Sequence, residues 1–273
     1  MSELITNAAV LREAKKPLSF EELTIDPPNA GEVRIELRSC GVCHTDYSLA
    51  KGILDHQPIP SVLGHEGAGI IIDVGAGVSN VKKGDRVVMA PIAPCGQCSR
   101  CLNLEGAYCE REEVRGWGIL PDGRTPLKDK NGEGVAIGFN TGFYSDYAVV
   151  PCTAVAKIPS NVSFEIASLL GCAVVSGYGA VVNTAKIEVA SSILVVGLGG
   201  VGLSAVMAAK LRGAYPIIGV DTNKERRKLA KEIGCDEVMS ADEFNNIDIN
   251  NFNGGFDSVI EASGAIPAIE KCM

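Results

Sequence analysis

The sequence predicts an α/β protein of two domains. Its 273 residues are enough for about two ordinary domains. Residues 32–38 alternate apolar and charged side chains, as a strand with one buried face does. From residue 192 onward, short apolar runs alternate with helical patterns. That order is typical of a parallel sheet covered by helices, so the second part of the chain is predicted to be a doubly wound parallel sheet.

Composition and charge narrow the class of protein. Hydrophobic residues make up 46% of the chain and charged residues 21%, which predicts a packed core. The net charge of −8 argues against a surface for nucleic acid or for an anionic membrane. The N-terminus shows no signal peptide, and the uncharged residues 193–209 contain four glycines that favour a buried strand, turn and helix over a membrane span. We therefore expect a cytoplasmic protein with no nucleic-acid or membrane partner.

Four of the ten cysteines lie close together along the chain, spaced as Cys95-x2-Cys98-x2-Cys101-x7-Cys109. Thiolates separated by two residues can converge on one ion, and four sulfurs complete the tetrahedral shell that zinc prefers. No position is then left for a substrate, so the spacing predicts a structural zinc site. A disulfide loop and an iron–sulfur cluster are the alternatives.

A second set of metal-binding side chains is dispersed along the chain. Cys43 follows the strand-like run, His65 lies in the motif GHEGAG, and Cys172 follows a glycine. One histidine and two cysteines would give zinc three protein ligands and leave a fourth position open. Taken singly, Cys172 is equally consistent with a small buried apolar residue, and His65 with a turn.

A glycine-rich turn follows the buried run 192–196. The turn reads Gly197-Leu-Gly199-Gly200-Val201-Gly202 and leads into a helix that is predicted to end at Gly213. Glycines between a strand and a helix allow a tight turn and let a pyrophosphate approach the helix N-terminus. This placement predicts a dinucleotide-binding site.

The next apolar run, 217–220, ends at Asp221. An acid at this distance from the glycine turn accepts hydrogen bonds from the adenosine ribose and repels a 2′-phosphate, so NAD is favoured over NADP. Arg226 and its basic neighbours are candidates for contacts to the cofactor, with a solvated helix face as the alternative. Thr222 and Glu225 predict a capping box at the start of the following helix.

Together these motifs resemble the zinc-dependent alcohol dehydrogenases of the medium-chain dehydrogenase/reductase family. GVCHTD, GHEGAG, the four-cysteine lobe, GCAVVSGYGA and VVGLGGVGLS carry the resemblance, which runs from about residue 10 to the last residue. It implies a GroES-like, mostly-β catalytic domain over residues 1–173, with a structural zinc lobe at 95–109. An NAD-binding Rossmann domain over residues 174–273 would follow, with the active-site zinc in the cleft between the two.

The resemblance also implies the cofactors, the partners and the reaction. Two zinc ions per chain, one catalytic and one structural, and NAD are expected. The substrate would be a small alcohol, aldehyde or ketone, and full-length relatives are homo-oligomeric. Hydride would pass between that substrate and NAD.

Site residues follow from the resemblance position by position. It implies that Glu66 lies behind the metal, that Asp46 hydrogen-bonds His65, and that Thr45 bonds the substrate oxygen. Ser48 stands where many members have the histidine that ends a proton relay, so the proton would leave by another route. The remaining assignments are the catalytic zinc ligands Cys43, His65 and Cys172, the structural zinc ligands Cys95, Cys98, Cys101 and Cys109, and the cofactor contacts His44, Ser176 and Val201.

Three further expectations concern the end of the chain, the pocket and the function. Only four strands are visible after residue 192, where a Rossmann sheet has six, so the sheet is expected to be truncated. Four residues lie in segments that line the pocket in relatives or belong to the core: Ile92, Trp117, Phe139 and Tyr144. Residues 121–133 are predicted to form an exposed loop. A non-catalytic relative that binds zinc and nucleotide is the alternative function, and the charge opposes a zinc module for nucleic acid.

Overall fold

The computed structural model describes residues 2–55, 57–111, 118–248 and 254–273. The chain divides into two compact units, Met1–Cys172 and Ala173–Met273. The predicted domain boundary, between residues 173 and 174, lies one residue further along the chain. Trp117, named above as a pocket or core residue, lies outside the described residues.

The first unit consists mainly of strands. Five of them, β1 (Leu4–Leu11), β2 (Ser19–Ile25), β4 (Ser61–Val62), β7 (Leu127–Lys128) and β8 (Gly134–Ile137), form a closed barrel in the order β1-β2-β7-β8-β4. Five others, β3 (Glu32–Gly41), β5 (Glu66–Val74), β6 (Arg86–Met89), β9 (Tyr147–Pro151) and β10 (Val155–Lys157), form a sheet in the order β10-β6-β5-β3-β9. Alternate apolar residues of these strands fill two adjoining cores.

Strand β3 shows how its neighbours alter the simple alternation of the sequence. Val33 and Ile35 point into the core as predicted, but Glu32 and Arg34 on the other face are also buried. Arg34 donates to Asp73 of β5 at 2.9 Å, and Glu32 accepts a bond from the backbone N–H of Asn29. Charged side chains that are buried need such partners, because a buried unpaired charge is costly.

The prediction of an exposed loop over residues 121–133 was correct for its two ends, 121–123 and 130–133, and wrong for its middle. Within it, Leu127 is 1% exposed and β7 pairs with β2 and β8. The polar composition of this segment reflects its turns, whereas the strand depends on partners that are distant along the chain.

The described residues of the first unit also form the short α-helices α1 (His44–Ala50), α2 (Ser99–Leu102) and α3 (Phe164–Leu169). Ser163 caps α3 by accepting a bond from the backbone N–H of Ile166. Helix α3 packs against β3 and β5.

The second unit is a four-stranded parallel sheet with helices on both faces. Its strands are β11 (Ile193–Val196), β12 (Ile217–Val220), β13 (Glu237–Met239) and β14 (Ser258–Glu261), in the order β13-β12-β11-β14. Its helices are α4 (Val175–Gly179), α5 (Gly200–Arg212), α6 (Lys224–Ile233), α7 (Ala241–Asn246) and α8 (Ile266–Cys272). This strand order is that of the first four strands of a Rossmann sheet, and β11 and β14 mark the point where the order reverses.

Strand β11 is apolar at every position because both of its faces are covered. Ile193 and Val195 of β11 pack with α5, whereas Leu194 and Val196 pack on the opposite face with Phe244 of α7. Residues 193–209 thus form the strand, turn and helix that the glycines predicted. A continuous apolar run is what a doubly covered parallel strand requires.

The capping-box prediction at Thr222 and Glu225 was wrong. Asn223 is the N-cap of α6, and its side chain accepts bonds from the backbone N–H groups of Glu225 and Arg226. The predicted end of the preceding helix was confirmed: Gly213 ends α5 in the left-handed conformation.

One helical stretch, Phe164–Thr184, is long and apolar enough to cross a membrane, with a mean hydropathy of 1.6. Length and composition alone are weak evidence, since core helices of soluble proteins have the same properties. Within this stretch α3 packs against the strands of the first unit, and α4 packs against α5 in the second.

Candidate metal centres and nucleotide-binding turn

Metal-binding side chains from three separate parts of the first unit converge at one point. Cys43 follows β3, His65 precedes β5, and Cys172 follows α3. Together with Glu66, their candidate ligand atoms lie within 4.8 Å of one another. The structure therefore brings together the three residues that the resemblance assigns to the catalytic zinc, with Glu66 beside them.

The fold explains this convergence. Strands β3 and β5 are antiparallel, and Gly41 is paired with Glu66, so the residue that leaves β3 lies beside the residue that enters β5. Helix α3 crosses the same two strands, where the hydroxyls of Ser39 and Ser168 are 3.4 Å apart. Its C-terminal extension brings Cys172 to the strand ends.

Asp46 fixes the orientation of His65. Both side chains are 3% exposed, and His65 Nδ1 donates to Asp46 Oδ1 at 3.3 Å. The backbone N–H of Gly64 donates to the same oxygen at 2.9 Å. With Nδ1 engaged, Nε2 is left for a metal, as in other carboxylate–histidine–metal arrangements.

Hydrogen bonds within the site shift the pKa values of two of the candidate ligands. Burial by itself lowers the pKa of His65, but its hydrogen bonds to Asp46 and Cys43 outweigh burial and raise the pKa to about 9. Hydrogen bonds from the Cys172 thiol and from His65 hold the pKa of Cys43 well below its usual range. Cys43 therefore ionises readily and supplies a thiolate, which is the form that binds a metal, and a cation bound at His65 would displace the proton of its imidazole.

Tyr144 contacts this site in a way that the sequence did not reveal. Its hydroxyl donates to Asp46 Oδ2 at 3.1 Å, although the two residues are 98 positions apart. Burial and the charge of Asp46 raise the pKa of Tyr144, so the phenol keeps its proton as a donor. Phe139 is near as well, with its ring centroid 4.6 Å from that of His65. No local pattern in the sequence signals either contact.

The other candidate catalytic residues lie on α1. Thr45 Oγ1 is 3.5 Å from the sulfur of Cys43, which places its hydroxyl beside the candidate ligands. Ser48 is one helical turn further on and is 9% exposed. His44 is exposed, and its ring is 5.5 Å from that of Tyr47.

The four cysteines of the lobe 95–109 also converge, with their sulfur atoms within 4.8 Å of one another. Cys95 and Cys101 are 3.9 Å apart at Sγ, and Cys98 and Cys109 are 4.0 Å apart. A tetrahedral zinc ion with Zn–S distances of about 2.3 Å holds its sulfurs about 3.8 Å apart, whereas a disulfide needs about 2.05 Å. The spacing therefore fits one zinc ion and excludes a disulfide between these pairs.

Backbone N–H groups of the lobe donate hydrogen bonds to its sulfur atoms. Backbone N–H groups of Glu110 and Cys101 lower the pKa of Cys98 to about 6. The N–H of Cys98 in turn donates to the sulfur of Cys95 at 3.4 Å. Such N–H···S bonds stabilise thiolates, which are the form that binds zinc.

In the second unit, the glycine turn connects β11 to α5. Gly197 has a φ of 90° and Gly199 is the N-cap of α5, which starts at Gly200. The backbone N–H groups of the first helical turn, at Gly200, Val201 and Gly202, have no acceptor within the helix, so this end attracts an anion. Ser176 lies exposed on α4, the helix that packs against α5.

Asp221 ends β12 beside this turn. Its carboxylate accepts bonds from the backbone N–H groups of Leu198 and Asn223, at 2.8 and 2.7 Å. Arg226 Nη1 is 3.7 Å from Asp221 Oδ2. The acid is thus fixed to the glycine turn itself, and Arg226 pairs with it.

Comparison with known proteins identifies the family of this chain. The model of the alcohol dehydrogenase GroES-like domain matches residues 29–160, and that of the zinc-binding dehydrogenase matches residues 200–273. An alcohol dehydrogenase class-3 from Cereibacter sphaeroides is 35% identical over 98% of this chain and 74% of its own length. The chain belongs to the zinc-dependent alcohol dehydrogenases of the medium-chain dehydrogenase/reductase family.

Solved structures of zinc-dependent alcohol dehydrogenases and related enzymes agree with this family. Benzyl alcohol dehydrogenase from Acinetobacter calcoaceticus is 31% identical, with a TM-score of 0.88 over 99% of this chain and 73% of its own. Acetophenone reductase from Geotrichum candidum, solved in complex with NAD, is 26% identical, with a TM-score of 0.78 over 97% of this chain and 70% of its own. The predicted fold class and the predicted class of enzyme, a zinc-containing NAD-dependent alcohol dehydrogenase, are confirmed at the level of the family.

Proposed function

We propose that this chain transfers a hydride between a primary or secondary alcohol and NAD, at a zinc ion held by Cys43, His65 and Cys172. Zinc and NAD are the cofactors of the reaction. The observation that carries the proposal is the convergence of these side chains from three separate segments, with Asp46 on the far side of His65. Charged groups are costly to bury, so a cluster of them is not expected in a core that serves packing alone.

Charge balance favours three ligands and an open position. Two thiolates and a neutral imidazole balance the two positive charges of zinc, whereas Glu66 as a fourth ligand would leave a net negative charge in a buried site. Glu66 is 3% exposed, and burial raises its pKa. We therefore assign Glu66 a place behind the metal and leave the fourth position to the substrate oxygen.

When bound, zinc acts as a Lewis acid that lowers the pKa of the alcohol, and NAD accepts the hydride. The chain itself must orient the alcohol and remove its proton. Thr45 has its hydroxyl beside Cys43, so we assign it the hydrogen bond to the substrate oxygen. Ser48 is three residues further along the same helix and shares its face with Thr45, which suits a second hydroxyl on the proton route.

The second unit is assigned to the nucleotide. We place the pyrophosphate at the N-terminus of α5, against Gly199, Gly200 and Val201, and the adenosine ribose at Asp221. A carboxylate at that position repels a 2′-phosphate, which favours NAD over NADP. Ser176, Arg226 and His44 are further contacts that the resemblance implies.

The same reasoning extends to location and partners. We infer that the enzyme works in the cytoplasm, because none of the ten cysteines forms a disulfide, as expected in a reducing compartment. Its partner is a small alcohol or carbonyl compound, and we propose no nucleic-acid or membrane partner, since the net charge of −8 opposes anionic surfaces.

The test measures zinc content, NAD binding and NADH formation of the purified, zinc-loaded chain with aliphatic, allylic, benzylic and polyol alcohols. We expect turnover with at least one class. Cys43→Ala should abolish turnover while NAD binding survives, and Cys40→Ala, which removes a partly buried thiol three residues earlier, serves as the matched control. An active Cys43→Ala enzyme would refute the ligand assignment. Two zinc ions and bound NAD without any turnover would favour the alternative, a relative that only binds.

A further inference from the structure

Asp46 is the central acceptor behind the candidate zinc site, and its two oxygens have different partners. Oδ1 accepts bonds from the Gly64 backbone and from His65. Oδ2 accepts a bond from the Tyr144 hydroxyl at 3.1 Å. The carboxylate is 3% exposed, so a rotation about its last bond cannot be compensated by bulk water.

Tyr144 is itself held against the segment that carries His65. Its backbone N–H donates to the carbonyl of Leu63 at 2.9 Å, and its carbonyl accepts a bond from Ala9 of the barrel at 2.8 Å. The adjoining residue, Phe143, donates its N–H to the carbonyl of Gly64 at 3.0 Å. The tyrosine therefore stands at a fixed place relative to the loop that leads into β5.

Gly64 makes this close approach possible. It has a φ of +88°, and a Cβ atom there would lie 2.5 Å from the Tyr144 ring and 2.8 Å from its backbone nitrogen. Only glycine combines that conformation with that contact. The ring of Tyr144 also packs against the barrel core, a role that a phenylalanine would fill equally well. What the hydroxyl adds is the bond to Asp46.

We propose that Tyr144 is a positioning residue for the catalytic zinc: its hydroxyl fixes the Asp46 carboxylate, which in turn fixes His65 with Nε2 directed at the metal. This inference rests on the proposed function, because it takes His65 as a zinc ligand. Outer partners of this kind set the orientation of a metal-bound histidine, and their loss typically weakens metal affinity by about 10–100-fold. Tyr144 is one step further from the metal than Asp46, so its loss is expected to reach about tenfold.

The experiment compares Tyr144→Phe with wild type by competition of a chromogenic chelator for zinc. The structural zinc of the four-cysteine lobe is the internal standard, because it is held by other residues. Tyr147→Phe is the matched control: it lies three residues further along, packs on the same core, and bonds Thr6 through its backbone nitrogen and not through its hydroxyl. The cobalt-substituted enzyme supplies a second readout, since its visible spectrum reports the geometry of the ligands.

We expect Tyr144→Phe to weaken the affinity for the catalytic zinc about tenfold and to shift the cobalt spectrum, with the structural zinc unaffected. In an Asp46→Ala background the same substitution should have no further effect, because the acceptor is gone. Equal zinc affinity and equal spectra for Tyr144→Phe and Tyr147→Phe would overturn the inference, as would an undiminished effect in the Asp46→Ala background.

A further variant separates this inference from the function on which it rests. If His65→Ala still binds two zinc ions with wild-type affinity, the ligand assignment fails and the inference fails with it. If His65→Ala loses the catalytic zinc while Tyr144→Phe keeps wild-type affinity and spectrum, only the role of Tyr144 is refuted. A loss of affinity in Tyr144→Phe that matches the expected size supports both.

Discussion

Adding a methyl group to the glycines of the turn between β11 and α5 should affect stability at one position and nucleotide binding at another. A Cβ atom on Gly202 would lie 1.8 Å from the carbonyl oxygen of Gly197, where real Cβ atoms stay beyond 3.0 Å. A Cβ atom on Gly199 would have nothing within 4 Å, and its φ of −78° suits any residue. Gly202→Ala therefore tests packing, and Gly199→Ala tests the space that we assign to the pyrophosphate.

The loss of stability in Gly202→Ala can be estimated from the displacement of the Gly197 carbonyl that it requires. The carbonyl of Gly197 belongs to a turn that is tied down by the bond from the Gly197 N–H to Val220 at 2.8 Å. Overpacking of this kind costs about 1–3 kcal/mol, and loss of the bond adds about 1 kcal/mol. For a unit of about 100 residues, a loss of 2–4 kcal/mol lowers the melting temperature by about 10 °C or more.

Gly199→Ala should leave the free energy of unfolding within about 0.5 kcal/mol of wild type, because the poorer N-cap offsets the lower entropy of the unfolded chain. Its affinity for NADH should nevertheless fall about tenfold or more, since the methyl group occupies the approach of the pyrophosphate. Thermal unfolding and fluorescence titration with NADH measure the two effects. A Gly202→Ala protein as stable as wild type would refute the packing argument, and wild-type NADH affinity in Gly199→Ala would refute the placement of the pyrophosphate.

Two further substitutions test the structural zinc and a surface ion pair. Cys98→Ser should reduce the zinc content from two ions to one. It should also destabilise the first unit by about 3 kcal/mol, the value for opening a cross-linked loop of about 15 residues. Cys152→Ser should keep both ions, and equal zinc content in the two variants would contradict the lobe assignment. The hydrogen bond from Arg12 lowers the pKa of Glu21 to about 2, so its stabilisation is present above about pH 4.5 and is lost as the pH falls toward 2. Glu21→Gln should therefore cost less than about 1 kcal/mol at pH 7, with a difference from wild type that narrows below pH 4.5, whereas exposed Glu22→Gln should show no such trend in melting temperature.

Features confined to short stretches could be predicted from the sequence. The four-cysteine lobe is one, because its ligands lie within a single loop and their spacing already limits where the sulfurs can meet. The glycine turn is another, since strand, turn and helix follow each other directly and each leaves its own pattern. Gly213 could be recognised as the end of α5 for the same reason, as a left-handed residue after a helix favours glycine.

Features that depend on distant partners were missed or misjudged. Residues 121–133 have the composition of a loop, yet Leu127 is buried because β2 and β8 pair with its strand. Asn223 caps α6 in place of Thr222, a choice between adjacent polar residues that depends on the path by which the chain leaves β12. Arg34 is buried on a face predicted to be exposed, where it pairs with Asp73, 39 positions further along the chain.

The sequence by itself determined the kinds of chemistry in this protein, which are soft ligands for two zinc ions and a turn for a dinucleotide. Each depends on residue types and spacings that few other structures require. Only the tertiary structure decided how the dispersed residues meet. It placed Cys43, His65 and Cys172 at the ends of strands and a helix that cross, and it set Tyr144 against Asp46 from 98 positions away. Such contacts follow from strand pairing and core packing, which depend on the whole chain and leave no local pattern in it.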